Sequence, residues 1–302
     1  MRTTFLIAVG VCAVASSARA QAPAAGPLAL LLPASARATA LGNAWVAARD
    51  ESAIFYNPAQ LVPTNGIGGS FARYGANGSS GALTSAVTIG TLTYGWGVQV
   101  VDFTASTAAA YPFMPADLIQ RGSRNALSLV AAAGANYVFK GFRTGASLKY
   151  AEDRVDASPS AGQPAILHGL LLGDFGASHP LWSGTAALSV QNVGDHSNVR
   201  LPLQTSLGWT RQKQVGDFDV GLVTQVSERN KWLGAAGGVE AGYGWIEGWS
   251  FVARAGAHRP ESQAQRPLTL GGGLNADRLV LDYALEFFEH ERYAHHISIR
   301  WR

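Results

Sequence analysis

Residues with hydrolase or metal-site chemistry cluster near the C-terminus. His295, His296 and Ser298 offer a base and a nucleophile, and Glu289-His290-Glu291 offers metal ligands. Adjacent residues of a strand point to opposite faces, so His295 and His296 cannot both enter one site. The Glu-His-Glu run lacks a recognised ligand spacing and lies in a predicted loop. Because the chain also lacks a G-x-S-x-G elbow, a P-loop and an H-E-x-x-H motif, we expect no enzyme activity, no metal and no cofactor.

A second set of candidate residues is ionic. Strand parity places charged side chains on the less lipophilic face of their strands. The set consists of Asp174, Arg254, Asp282, Glu286 and Arg300. We predict that they form a polar network inside a lumen, in which Asp282 and Arg300 meet, because buried ions must pair. Such a network either holds the fold together or lines a transport path.

The first residues predict export. Arg2 gives a short basic region, residues 5–15 are apolar, and Ala18-Arg19-Ala20 matches a cleavage site, so residues 1–20 are predicted to be a signal peptide. Cys12, the only cysteine, falls in this signal, which excludes thiol chemistry in the mature chain. Removal of Arg2 and Arg19 lowers the formal net charge by two, from +3 to +1. That charge does not favour a nucleic-acid partner.

Residues 66–302 are predicted to form an all-β fold, a transmembrane antiparallel β-barrel of about 14 strands. Short alternating segments, 35 glycines and a mean hydropathy of +0.08 are typical of such barrels. The predicted strands are 67–74, 82–90, 92–103, 125–138, 142–153, 166–177, 183–192, 203–212, 216–226, 233–246, 249–258, 267–275, 279–288 and 294–302. Connections after even-numbered strands are tight, and several after odd-numbered strands are long. This asymmetry places the tight turns and both termini in the periplasm.

Aromatic residues test this topology, since Trp and Tyr favour membrane interfaces. Those predicted near the periplasmic strand ends are Tyr94, Trp96, Tyr137, Trp182, Trp209, Trp245, Trp249 and Trp301. Those predicted near the outer ends are Tyr74, Phe103, Tyr150, Trp232 and Tyr293. Two separate levels of aromatic residues favour a membrane barrel over a soluble β-sandwich or propeller.

Residues 21–65 form a separate N-terminal segment between the signal and the barrel. It contains Gly42-Asn43-Ala44, Asp50 and Tyr56-Asn57-Pro58-Ala59. Motifs further along the chain are Asp174-Phe175-Gly176, Gln191-Asn192-Val193-Gly194, Gly238-Val239-Glu240, Arg254-Ala255-Gly256, Asp282-Tyr283-Ala284 and His296-Ile297-Ser298. Together these motifs resemble those of PorV/PorQ-type outer-membrane proteins, which are relatives of the FadL-type transporters of long-chain fatty acids.

The resemblance implies a short helical plug inside the barrel. The residues it assigns to the plug and its gating are Gly42, Asn43, Asp50, Asn57, Pro58 and Ala59. From local chemistry alone, Asn57-Pro58 is an ordinary turn at a helix end, and Asp50 or Ser52 can cap the helix before it. The chain departs from common outer-membrane barrels in ending on Arg302 rather than an aromatic residue, which bears on recognition by the barrel-insertion machinery, an implied partner.

Two functions are expected for a barrel in the outer membrane of a Gram-negative-type bacterium, in contact with its lipids. The first is passive transport of a hydrophobic or amphipathic small molecule through the plugged lumen. The second is a non-enzymatic, PorV-like role as a secretion-system component or adaptor that handles secreted proteins at the cell surface through loops 104–124 and 154–163. An apolar contact surface at Tyr111, Phe113 and Met114 suits either partner.

Overall fold

The protein forms a closed barrel of fourteen antiparallel strands in a computed structural model that describes residues 27–64, 66–75, 78–103, 126–155, 166–194, 201–261, 265–289 and 292–301. Each strand pairs with its neighbours in the chain, and β1 closes the barrel against β14. The strands are β1 Gly68–Tyr74, β2 Gly78–Ile89, β3 Leu92–Phe103, β4 Ala126–Phe139, β5 Phe142–Val155, β6 Ile166–Leu181, β7 Gly184–Gly194, β8 Gln204–Val215, β9 Phe218–Arg229, β10 Trp232–Ile246, β11 Trp249–His258, β12 Gln265–Ala276, β13 Leu279–Phe288 and β14 Tyr293–Trp301. The predicted all-β barrel is therefore confirmed.

Two strands extend four residues beyond one predicted end. Strand β2 begins at Gly78 instead of residue 82, because the small residues there pair with β1 although they lack apolar alternation. Strand β6 continues past residue 177 through Pro180. Proline lacks a backbone N–H, but Pro180 lies beyond Ser178, the last β6 residue paired with β5, and pairs only with β7.

The two ends of the barrel differ, as the connection lengths predict. Connections of two residues follow every even-numbered strand from β2 to β12 and lie at one end, which we name the tight-turn end. The opposite end, the long-loop end, carries the connections that follow odd-numbered strands. The proposed contact residues Tyr111, Phe113 and Met114, the predicted signal peptide and most of loops 104–124 and 154–163 lie outside the described residues.

The outer wall of the barrel is apolar. Exposed aromatic residues near the tight-turn end include Tyr94, Trp96, Tyr137, Trp182, Trp245, Trp249 and Trp301. Tyr74 and Trp232 lie at strand ends on the long-loop side, as predicted, but both face inward: Tyr74 is only 2% exposed and edge-on to His296, and Trp232 lines an internal cavity. Both residues occupy inward-facing positions of their strands. The alternation of side chains, and not the distance along the strand, therefore decides whether a ring faces the lumen or the membrane. Within the described ranges, no helix combines the length and apolarity that crossing a membrane requires.

Residues 27–64 fill the lumen as a plug. They form one short α-helix, α1 (Ala36–Ala40), and three 3₁₀ helices, Leu28–Leu30, Glu51–Phe55 and Pro58–Gln60. Ser35 and Asn57 cap two of these helices, since each side chain accepts a hydrogen bond from the backbone two or three residues on. The predicted cap at Asp50 is wrong, because the Asp50 side chain makes no capping bond.

Inward-facing glycines make the space for the plug. Gly145 and Gly176 are paired across β5 and β6, and together they form a slot for Pro58 and Ala59. A Cβ atom at Gly145 would lie 2.5 Å from the backbone nitrogen of Ala59, and one at Gly176 would overlap the side chain of Asn57. The close approach of two backbones therefore excludes any larger residue at these positions.

We expect Gly176→Val to prevent the plug from seating while the barrel still forms. Limited proteolysis of the detergent-solubilised protein should then cleave residues 27–64 much faster than in the wild type. Gly173→Val is the matched control, since a Cβ at Gly173, on the outer face of the same strand, meets Phe175 at 3.6 Å and the carbonyl oxygen of Val193 at 3.8 Å, both ordinary contacts. Equal protection of the plug in the two variants would contradict the slot.

Candidate functional site

Side chains of the barrel wall form hydrogen bonds with the irregular backbone of the plug. Buried backbone groups need hydrogen-bond partners, and the short plug helices supply few of them. Wall side chains from many strands supply the others. Ser128 accepts from Ala29, Ser298 from Ala36, Thr269 from Gly42 and Gln225 from Val46, while Gln99 donates to Leu32, Gln191 to Phe55 and Asn136 to Leu61. The plug is therefore held by polar contacts around the circumference.

The predicted Gly42-Asn43 motif forms a left-handed turn. Gly42 has φ +69° and Asn43 has φ +61°, a region that favours glycine and tolerates asparagine. A Cβ at Gly42 would lie 2.6 Å from the carbonyl oxygen of Ala257 in β11. The motif thus brings the plug backbone directly against the wall, and the chain after it crosses the lumen toward β8.

Two cavities share the wall formed by β8 to β12, and the outer one also reaches β3 to β5, β7 and β13. The outer cavity, of about 160 Å³, is near the long-loop end, where its wall includes Ser206, Gln225 and Ala236. The second cavity, which we name the vestibule, has about 600 Å³ and lies near the tight-turn end, where its wall includes Gln212 and Glu240. The same three strands, β8, β9 and β10, line both cavities.

Residues 41–48 of the plug, which we name the septum, separate these cavities. Between them the wall presents Gly208, Val223 and Gly238 at successive strands. Leu41 packs on Gly238, Val46 and Ala47 pack on Gly208, and Val223 joins a buried cluster with Leu41 and Trp45. Direct packing of small wall residues against the septum closes the lumen at this level.

A chain of ion pairs lies beneath the septum and joins it to four strands. Arg37 of α1 contacts Glu240 at 2.7 Å, and Glu240 also contacts Arg254 at 3.1 Å. Asp282 then bridges Arg254 at 2.8 Å and Arg300 at 2.9 Å. Arg300 lies 3.9 Å from each of two plug carboxylates, Asp50 and Glu51. The carboxylates of β10 and β13 alternate with the guanidinium groups of the plug, β11 and β14.

Trp45 is the septum residue that contacts this ion chain. Its ring is 1% exposed and lies 5.3 Å from the guanidinium carbon of Arg37, in cation–π geometry. Its Nε1 donates to Asp50 at 3.4 Å, and Ser52 donates to the same carboxylate oxygen at 2.6 Å. Burial opposes the charge of Arg37, but the carboxylate of Glu240 outweighs it and raises the pKa of the guanidinium. Arg37 therefore stays charged.

Asn57 ties the anchored part of the plug to the septum. Its Nδ2 donates to the carbonyl oxygen of Val46 at 2.8 Å, and its Oδ1 accepts from the backbone of Ala59 at 3.1 Å. Nearby, the phenol of Tyr56 accepts from the backbone of Ala34 at 2.9 Å, and burial raises its pKa. Asn57 thus acts as a tether between two plug segments, a role that its turn chemistry alone does not predict.

The structure joins only part of the predicted polar network. Arg254, Asp282 and Arg300 meet, but Asp174 instead pairs with Lys149 at 2.6 Å on the opposite flank, and Glu286 faces His296 at 3.6 Å near the long-loop end. Sequence reasoning missed Arg37 and the role of Glu240. Inward parity marks Glu240, whereas Arg37 has no local signal beyond its charge in an alanine-rich segment.

Comparison with solved structures finds similar barrels. The TodX monoaromatic hydrocarbon channel, as its deltaS2 mutant, aligns with a TM-score of 0.53 and 12% identity over 88% of this chain and 96% of TodX. The CymD monoaromatic hydrocarbon channel aligns with a TM-score of 0.55 and 11% identity over 83% of this chain and 93% of CymD. No protein-family model matches the chain. No curated protein matches it in sequence. The likeness is one of fold.

Proposed function

We propose that the protein is a passive outer-membrane channel for small amphipathic molecules. The observation that carries the proposal is a pair of cavities that share the wall of β8 to β12, with the septum packed on that wall between them. A solute would enter the outer cavity from the cell exterior, pass the septum when it moves, and leave through the vestibule into the periplasm. The likeness in fold to two solved hydrocarbon channels supports the same class of function.

The geometry also suggests which part of the plug moves. Pro58 and Ala59 sit in the glycine slot of β5 and β6, away from both cavities, and serve as the anchor. The septum contains the left-handed Gly42-Asn43 turn and lines the outer cavity through Gly42, Asn43 and Val46, while Arg37, four residues before Leu41, lines the vestibule. We therefore assign gating to the septum, with Asp50 and Asn57 restraining it through Trp45 and Val46.

Filling the vestibule tests the route. Gly244 lines the vestibule, and a Cβ atom there would meet nothing within 4 Å, so Gly244→Trp should fit without disturbing the fold. We expect this variant to lower uptake of a short alkyl glycoside into proteoliposomes several-fold, because the indole narrows the exit. Gly69→Trp is the control, since Gly69 faces outward near the tight-turn end, where membrane interfaces favour tryptophan. Unchanged uptake by a folded Gly244→Trp barrel would contradict the route.

The PorV/PorQ resemblance supports a second hypothesis, in which the protein holds secreted proteins at the cell surface. Most of its contact loops lie outside the described residues. The two cavities are the observation that favours the channel over the adaptor. Native mass spectrometry of protein extracted in mild detergent from its own membrane separates the two hypotheses. A bound small amphipathic molecule supports the channel, and a stoichiometric protein partner supports the adaptor.

A further inference from the structure

The outer cavity has two chemically different linings. The plug contributes an apolar lining that includes Leu30, Leu31 and Phe55. The wall contributes neutral polar side chains from three neighbouring strands. These are Gln191 on β7, Gln204 and Ser206 on β8, and Gln225 and Ser227 on β9. Gly234 and Ala236 on β10 also line the cavity, and the Trp232 ring and the Ser227 hydroxyl pack over Gly234. A ligand that fills the cavity must therefore satisfy both apolar and hydrogen-bonding surfaces.

Part of this polar ladder has hydrogen-bonding groups to spare. Gln225 accepts from Val46 at 3.0 Å through its oxygen, which leaves its amide nitrogen with two N–H donors. Gln191 donates to Phe55 at 2.7 Å through its nitrogen, which leaves its oxygen as an acceptor. At the same cavity, Asn43 Oδ1 and His258 Nδ1 are buried and have no hydrogen-bond partner among the described residues. Unused donors and acceptors thus line the same cavity.

Each charged side chain at the cavity already has a contact, and that of Glu286 is His296 at 3.6 Å. Lys149 pairs with Asp174 at 2.6 Å, and Arg229 pairs with Glu261 at the rim. Arg259 lies over the Trp232 ring at 5.8 Å and donates to a backbone carbonyl at 2.8 Å. A charged ligand would have to compete with these contacts, a carboxylate for Lys149, Arg229 or Arg259 and an ammonium for Glu286, because buried ions need compensation. A neutral ligand meets no such obstacle.

We propose that the outer cavity binds an uncharged, hydroxyl-bearing ring, such as the sugar of a short alkyl glycoside. A hydroxyl both donates and accepts, which suits the mixture of free groups better than a carboxylate, which only accepts. The volume agrees with a single ring, since an apolar cavity of about 150 Å³ holds benzene and this one has about 160 Å³. An alkyl chain would lie on the apolar plug surface. This inference deepens the proposed channel function by naming its substrate class.

The test compares three probes with the same alkyl chain. Isothermal titration calorimetry of the protein in nanodiscs, with empty nanodiscs as the blank, would measure binding of hexyl β-glucoside, hexanoate and hexanol. We expect the glucoside to bind at least about tenfold more tightly than either of the others, as two or more added hydrogen bonds allow. Methyl β-glucoside lacks the chain and so distinguishes the two possible sources of the sugar. Binding as tight as that of hexyl β-glucoside would indicate a free sugar, and much weaker binding would indicate a glycolipid. Hexanoate or hexanol binding as tightly as the glucoside would overturn the inference.

Two conservative variants locate the binding. Ser227→Ala removes one hydroxyl, and Gln225→Glu keeps the acceptor for Val46 while it removes the N–H donors. Each should weaken glucoside binding about two- to tenfold and leave hexanol binding unchanged. Thr205→Val, which removes a hydroxyl on the outward face of β8, should have no effect. Unchanged glucoside binding in both variants would overturn the assignment to this cavity.

Uptake in proteoliposomes, measured on the same preparations, separates this inference from the channel function. Uptake without preference for the glucoside leaves the channel standing and refutes the sugar site. Specific glucoside binding without uptake leaves the sugar site standing and refutes the channel.

Discussion

Replacing Trp45 by alanine is expected to open the septum and to raise the conductance of the barrel in a planar bilayer several-fold. The indole is buried in a cluster with Leu41 and Val223, and it holds Arg37 and Asp50 on either side. Loss of a buried tryptophan costs about 3–5 kcal/mol. Because the septum is short and irregular, that loss should appear as local opening of the septum instead of unfolding of the hydrogen-bonded wall.

The control for this variant is Trp182→Ala. Trp182 is 80% exposed in a turn at the tight-turn end, so its removal takes away the same side chain without touching the septum. We expect its conductance to match that of the wild type. If Trp45→Ala inserts normally and conducts no more than Trp182→Ala, packing at Trp45 does not hold the lumen closed.

Asp282→Asn is expected to give the largest loss of barrel stability. The Asp282 carboxylate is 1% exposed and bridges Arg254 and Arg300, so the amide leaves two buried guanidinium groups without their shared counter-ion. Removal of one partner from a buried ion pair typically destabilises by about 3–5 kcal/mol. The folded form should therefore convert to the unfolded form at a clearly lower temperature in a heat-modified gel shift.

The matched control is Asp219→Asn, which makes the same change at an exposed carboxylate of the vestibule. An exposed charge contributes little to stability, so we expect no shift in its conversion temperature. Equal conversion temperatures for Asp282→Asn and the wild type would show that the ion chain does not stabilise the barrel. Since Asp282 lies beneath the septum, a conductance trace of the same variant would also report whether weakening the chain releases Arg37.

The sequence was sufficient to predict the architecture. Alternation has a period of two residues and is local, so it indicated the inward positions of Asp282 and Arg300 and the outward position of His295 without any knowledge of the fold. Turn composition likewise indicated which end carries the tight connections. The alternation of side chains predicted whether a residue faces the lumen better than its position along the strand did, as the inward-facing Tyr74 demonstrates.

The site was predicted only in part, for a physical reason. Which inward side chains meet depends on the stagger between strands and on the path of the plug, and neither is encoded in local periodicity. Asp174 and Asp282 share the same parity but lie on opposite flanks, where different plug segments approach. The sequence by itself determined a plugged barrel with an inward set of charges. Only the tertiary structure decided that Arg37 and Trp45 close the lumen and that two cavities flank them, because those contacts join residues that are distant in the chain.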